Sequence, residues 1–133
     1  MAGSELAAAC VEAGADALSL VNTFQACAID LERRRPVFNN LFAGLSGPAV
    51  KPIALRMVWQ ACGAVDVPVI GLGGIATGAD ALEFIMAGAA AVQVGTANFM
   101  DPRSCGRISR EIAEWMEAHG VQSLEEIRGC ARG

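Results

Sequence analysis

The sequence has no basic surplus, a single histidine, no paired cysteine motif and no long apolar run, and each shortfall removes a class of function. Ten Lys and Arg stand against fourteen Asp and Glu, a formal net charge of −4. No general attraction to nucleic acid or to an anionic membrane is encoded, so any anion the chain binds must be held locally. The five cysteines, at positions 10, 27, 62, 105 and 130, form no Cys-x-x-Cys pair, and His119 has no companion. This argues against a metal centre and for reduced thiols in a cytoplasm. No segment reaches about 18 apolar residues without polar interruption, which argues against a membrane span. The first twenty residues contain no Lys or Arg, which argues against a secretion signal.

What is present is the material of one globular domain: 133 residues, 53% of them apolar and 18% charged. Helical spacing begins almost at once, with only Met1, Ala2 and Gly3 ahead of a capping Ser4, an abrupt start that leads us to expect a missing upstream part. Leu6, Ala9, Cys10 and Ala13 mark the first helix face, and Gly14 stops it. Ala17 to Val21 reads as a buried parallel strand ending in Asn22-Thr23. From Phe24 to Gly47 there is no clean period. A connection this long is functional or folded on itself, and its Arg33-Arg34-Arg35 run reads as a solvated face or a partner contact rather than a nucleic-acid site.

Helical spacing resumes from Pro48, with Ala54, Met57, Val58 and Ala61 on one face up to Gly63. Val67 to Ile70 is the next strand. Thr77 with Asp80 forms a capping-box pattern ahead of a helix that buries Leu82, Ile85 and Met86. Ala91 to Val94 is the third strand, and the last long helix carries Ile108, Ile112, Trp115 and Met116. Ser123 with Glu126 caps a short helix through Ile127. Cys10, Cys62 and Cys105 fall in helical segments as small hydrophobes, and His119 near a helix end is a favourable charge there.

The string Ala13-Gly14-Ala15-Asp16-Ala17 returns as Ala87-Gly88-Ala89-Ala90-Ala91, each time between a helix and a strand. Such alternation makes an α/β fold with a parallel sheet and right-handed crossovers. A closed β/α barrel needs eight strands and about 250 residues, so on length alone the chain reads as the C-terminal part, three βα units, of a TIM (β/α)8 barrel. A small open α/β sheet is the alternative.

Gly71-Leu72-Gly73-Gly74 lies between a strand and a capped helix. There, glycines either permit a tight turn or let backbone N–H groups approach a phosphate, with the helix N-terminus adding favourable potential. Gly95-Thr96 follows the next strand in the same place. Two adjacent strand ends of this kind read as one phosphate grip, with the Thr96 hydroxyl as an extra donor. Asn22 and Thr23 either face the same cavity or cap their own loop. Ser46-Gly47 is equally ambiguous, and Lys51-Pro52 fits a helix's first turn.

At this point the strings ADALSLVNT, AIDLERRRPVFNNLFAGLSGPAVKPIAL and VPVIGLGGIATGADALEFIMAGAAAVQVGTANF together resemble the C-terminal half of the catalytic subunit of class 1B, NAD-dependent dihydroorotate dehydrogenases. The resemblance runs through nearly the whole chain. It implies that residues 1–133 are part of an FMN-binding β/α barrel that oxidises dihydroorotate to orotate in pyrimidine (UMP) biosynthesis. It also implies that Asn22 and Thr23 bind the pyrimidine and that Val21 and Gly47 contact FMN. Gly73, Gly74, Gly95 and Thr96 would then hold the FMN phosphate. The family's catalytic base is a cysteine in a motif that does not occur here, so no catalytic residue and no metal ligand is assigned and the chain alone is expected to be inactive. FAD, an iron–sulfur cluster and NAD are implied only for a partner subunit, and a homo-oligomer for the complete enzyme.

One departure is local. Ala43 stands where the family has the first glycine of a Gly-Gly-Leu-Ser-Gly string, and alanine would strain the loop if that glycine takes a positive φ. Two other readings compete: the FMN domain of a dihydropyrimidine dehydrogenase-like enzyme, from which Gly95-Thr96-Ala97 points away, and a freestanding half-barrel that binds a phosphate ligand without catalysis.

Overall fold

Three short apolar runs with helical segments between them assemble as the alternation requires. The computed structural model describes residues 2–133. Helix α1 (Ala2–Glu12) leads into β1 (Leu18–Leu20). Strands β2 (Phe24–Ala26), β3 (Ile29–Asp30), β4 (Arg35–Pro36) and β5 (Ala43–Leu45) follow. A 3-10 turn over Pro48–Val50 opens α2 (Lys51–Cys62), and then come β6 (Val69–Leu72), α3 (Gly78–Met86), β7 (Ala91–Gln93), α4 (Ala97–Met100) and α5 (Ser104–Ala118). Among the described residues no helix is long and apolar enough to cross a membrane.

Strands β1, β6 and β7 form a parallel sheet in that order, with Leu20 opposite Gly71 and Leu72 opposite Gln93. The central β6 packs under α2, and α3 lies between β7 and α5. The core fills the space between sheet and helices with Ala54, Val58, Ala61, Val69, Ala81, Phe84 and Ile108. Phe84 is fully buried, and its ring occupies the space where a side chain on Gly71 would stand, 2.6 Å from the position of an ideal Cβ. The other face of the sheet carries Ser19, Ala91 and Gln93, all exposed, and the Ser19 hydroxyl donates to Gln93 Oε1 at 3.0 Å across the central strand.

The segment from Phe24 to Gly47 is folded on itself as two nested antiparallel pairs, β2 with β5 and β3 with β4. Leu31, Glu32, Arg33 and Arg34 form the turn of the inner pair, with Asp30 Oδ1 accepting from the Arg33 N–H at 3.0 Å. Ala43 lies in β5 opposite Ala26, and its φ is not positive, so the strain expected there is absent. It is the next residue, Gly44, that has no room for a side chain, because Thr23 fills that space.

Some local expectations are corrected. Helix α1 begins before Ser4, so Ser4 is not its cap, and its buried face centres on Ala7 while Leu6 is 68% exposed. Packing against α2 favours the small residue, since alanine lets two helix backbones approach. The short last helix is a 3-10 turn, Leu124–Glu126, in which Ser123 accepts from the Glu125 N–H. Cys10 and Cys105 are exposed rather than packed, and Cys62 is half-buried, with burial pushing its thiol pKa up.

Candidate functional site

All three parallel strands deliver their C-terminal ends to one cavity of about 310 Å³. From β1 come Val21, Asn22 and Thr23, from β6 Gly73, Gly74, Ile75 and Ala76, and from β7 Gly95, Thr96 and Ala97. The end of the β2–β5 ladder closes another side with Leu45, Ser46, Gly47 and Pro48. Ligand sites in parallel α/β sheets lie at these carboxyl ends, because there the loops meet while the opposite strand ends feed from helices. Val21, Asn22, Thr23, Gly47, Gly73, Gly74, Gly95 and Thr96 all line this one cavity, whereas Gly71, Lys51 and Pro52 do not.

The glycines are not equivalent. Gly73 and Gly74 sit at φ +127° and +78°. A Cβ on Gly73 would come within 2.6 Å of Ala54 Cβ, and one on Gly74 within 2.7 Å of the Gly47 carbonyl oxygen. This loop is therefore glycine because the chain turns there and because the start of α2 presses against it. Gly95 has open space at its Cβ position. Among the described residues, the N–H groups of Gly73, Gly74, Gly95 and Thr96 donate to no protein acceptor, and neither do those of the next residues, Ile75 and Ala97, leaving free backbone donors at two neighbouring strand ends.

The N-terminus of α3 is largely engaged by the protein itself. The capping box is formed, with Thr77 Oγ1 accepting from the Asp80 N–H at 3.1 Å and Asp80 Oδ2 accepting from Thr77 and Ala76 at 2.9 and 3.0 Å. Glu111 of α5 takes the Gly78 N–H at 2.5 Å. Two carboxylates of the protein thus already sit at the helix end from which favourable potential for an anion was expected. Burial alone would raise the Asp80 carboxyl pKa. Its bonds to Lys51, Ala76 and Thr77 outweigh that and hold it below the usual range. Lys51 in turn bridges Asp80 at 2.7 Å and Glu83 at 2.8 Å, and its pKa is raised by those bonds.

Around the rest of the cavity the polar groups are mutually engaged. The Thr96 hydroxyl donates to Ser46 Oγ at 2.8 Å, joining the β7 end to the segment before Gly47. Asn22 Oδ1 accepts from the Thr23 N–H at 2.7 Å, so this oxygen orders its own loop. Beneath Gly95, Asn98 Nδ2 donates to the carbonyls of Val94 and Gly95 at 2.7 and 3.2 Å, and the fully buried Ser104 donates to Asn98 Oδ1 at 2.7 Å. Sequence reasoning missed Gln93, Met100, Asp101 and Arg107, which also line the cavity. The i, i+4 spacing of Arg107 and Glu111 was the one local signal for this group.

The model of the dihydroorotate dehydrogenase family matches residues 2–116. The chain belongs to the dihydroorotate dehydrogenase family. Over 125 residues it is 61% identical to the dihydroorotate dehydrogenase B (NAD(+)) catalytic subunit of Petrotoga mobilis, covering 94% of this chain and 42% of that one. Over 126 residues it is 60% identical to the same subunit of Geobacter sulfurreducens, covering 95% and 41%. The chain thus spans about two fifths of the length of the curated relatives it matches. Among solved structures, the dihydroorotate dehydrogenase of Eimeria tenella in complex with ferulenol superposes with a TM-score of 0.80 at 28% identity, covering 98% of this chain and 35% of that one. The α/β arrangement of helices and parallel strands is therefore that of a dihydroorotate dehydrogenase over nearly the whole chain.

Proposed function

We propose that residues 1–133 are a C-terminal part, about three βα units, of a TIM (β/α)8 barrel and carry the FMN phosphate grip and part of the substrate seat of a dihydroorotate dehydrogenase. In this reading the complete catalytic subunit oxidises dihydroorotate to orotate in pyrimidine biosynthesis. The observation that carries it is that the backbone N–H groups of Gly73, Gly74, Gly95 and Thr96, at two neighbouring strand ends lining one cavity, have no protein acceptor among the described residues. Such a set fits a phosphate monoester: neutral donors fixed by two loops hold the oxygens without a surplus of charge. Val21 and Gly47 supply apolar and backbone surface for the flavin ring, and Asn22 Nδ2 and the Thr23 hydroxyl offer a donor and a donor–acceptor for the pyrimidine. When bound, the flavin accepts the hydride removed from dihydroorotate.

The chain's own groups bind and orient. None of its five cysteines lines the cavity, so the base that takes the substrate proton belongs to another part of the catalytic subunit in this reading. The relatives' description as a catalytic subunit supports a second subunit, to which we assign FAD, the iron–sulfur cluster and NAD reduction. The complete enzyme is read as a homo-oligomer of such pairs.

The test is a titration of the chain with FMN, followed by flavin fluorescence and visible absorbance, against the variant Gly95→Asp. Because the Cβ position of Gly95 is open, this variant keeps the fold while setting a carboxylate beside the donors. Saturable binding lost in Gly95→Asp is the expected result. Equal binding by both proteins refutes the phosphate grip.

A further inference from the structure

These backbone donors are neutral, and the cavity lining contains two charged side chains, Asp101 and Arg107. Arg107 is anchored on three sides. Its Nη1 donates to Glu111 Oε1 at 2.8 Å, its Nε faces Asp101 Oδ2 at 3.5 Å, and its Nη2 donates to the Ala76 carbonyl at 3.0 Å. The Ala76 N–H meanwhile donates to Asp80 Oδ2 at 3.0 Å, so the peptide groups flanking Ala76 are gripped from opposite sides by α5 and α3. Ala76 closes the loop that begins at Gly73. A loop rich in glycine has the most conformational freedom to lose on ordering, and a fixed anchor at its far end removes much of it before a ligand arrives. Among the described residues the guanidinium is also the lining's one cation; of its two carboxylate partners, Glu111 also accepts from the Gly78 N–H, and Asp101, itself in the lining, also pairs with Arg103.

We propose that Arg107 is a positioning residue for the phosphate end of the ligand: it holds the Gly73–Ala76 loop through the Ala76 carbonyl and sets the cavity's preference for a phosphorylated over an unphosphorylated flavin. The inference rests on the phosphate reading of the cavity. Lysine at this position keeps the charge but not the planar fork that reaches Ala76 and Glu111 together.

The experiment compares the affinities of FMN and riboflavin for the unaltered chain, Arg107→Lys and Arg107→Met, with thermal melting of each protein alongside. The unaltered chain binds FMN more tightly than riboflavin. In Arg107→Met, FMN affinity falls about tenfold while riboflavin affinity stays within about twofold, and Arg107→Lys loses FMN affinity by roughly threefold. A merely structural role moves both flavins together, so an unchanged FMN-to-riboflavin ratio in the variants overturns the proposal. If Arg107→Met does not fold, the ratio in Arg107→Lys decides in the same way. Should the unaltered chain itself show no preference for FMN, the phosphate reading fails and this proposal with it, whereas failure of the proposal alone leaves that preference intact.

Discussion

Replacing Gly74 by alanine puts a methyl group where the fold has main chain. The ideal Cβ stands 2.7 Å from the Gly47 carbonyl oxygen, 2.8 Å from the Lys51 nitrogen and 2.9 Å from Lys51 Cβ. Two of these are backbone atoms that no rotamer change can move, so either the loop or the first turn of α2 must shift. Overpacking of this kind costs about 1–3 kcal/mol. The φ of +78° adds a left-handed penalty of about 1–2 kcal/mol for any residue with a Cβ. Together these predict a loss of about 2–5 kcal/mol, which in a domain of this size lowers Tm by about 7–18 °C. Gly95→Ala is the matched control, because nothing lies within 4 Å of its Cβ position. It should melt within about 0.5 kcal/mol of the unaltered protein. Thermal unfolding followed by circular dichroism on the three proteins side by side is the assay. Equal shifts in the two variants, or no shift in Gly74→Ala, would refute the assignment of Gly74 to the fold and of Gly95 to the open side of the cavity.

Thr77→Ala removes the oxygen that caps α3 and should cost about 0.5–2 kcal/mol in urea unfolding, with m unchanged. Phe84→Ala empties a fully buried site beneath Gly71 and should cost about 3–5 kcal/mol by the same measurement; a loss under 1 kcal/mol would show that the helix layer collapses onto the sheet. Acid titration has a defined sign. Asp80 has its folded pKa lowered, so its contribution is fully present above the unfolded value of about 3.9 and is lost as pH falls through the lower folded value. Glu111, lowered first by the Gly78 N–H and then by Arg107, acts in the same direction. Asp80→Asn should therefore flatten the fall in stability between about pH 5 and pH 2, and an unchanged pH profile would count against the α2–α3 ion pair.

Much of this architecture was legible because its signals are local. The apolar positions of α2 and α5 recur every three to four residues, and the faces they define are those turned to the core, with Ala54, Val58, Ala61 and Ile108 buried. Thr77 and Asp80 stand three apart, and a capping box depends on nothing further away. In α1, by contrast, Leu6 marked the wrong face. Periodicity finds the most apolar stripe, whereas close packing against α2 selects the smallest one, and only the partner helix reveals that choice. The nested pairs between Phe24 and Leu45 were illegible for a related reason, since strands of two and three residues carry too few positions to show an alternation.

At the site the same division holds. Strand ends followed by Asn-Thr, Gly-Gly and Gly-Thr can be read from the chain, and parallel pairing obliges them to meet at one edge of the sheet. By itself the sequence thus determined that these three strand ends share the cavity, though not that Gln93, Met100, Asp101 and Arg107 join them, because strand direction and connectivity are properties of the order of elements along the chain. Only the tertiary structure decided what each residue does there. It separates Gly74, pressed by the start of α2, from Gly95, open to the cavity. It closes the α3 N-terminus with Asp80 and Glu111, and it brings Arg107 onto a carbonyl 31 residues away. These contacts depend on how α3 and α5 pack against the sheet, and no spacing along the chain encodes a distance between two helices that meet only when the core forms.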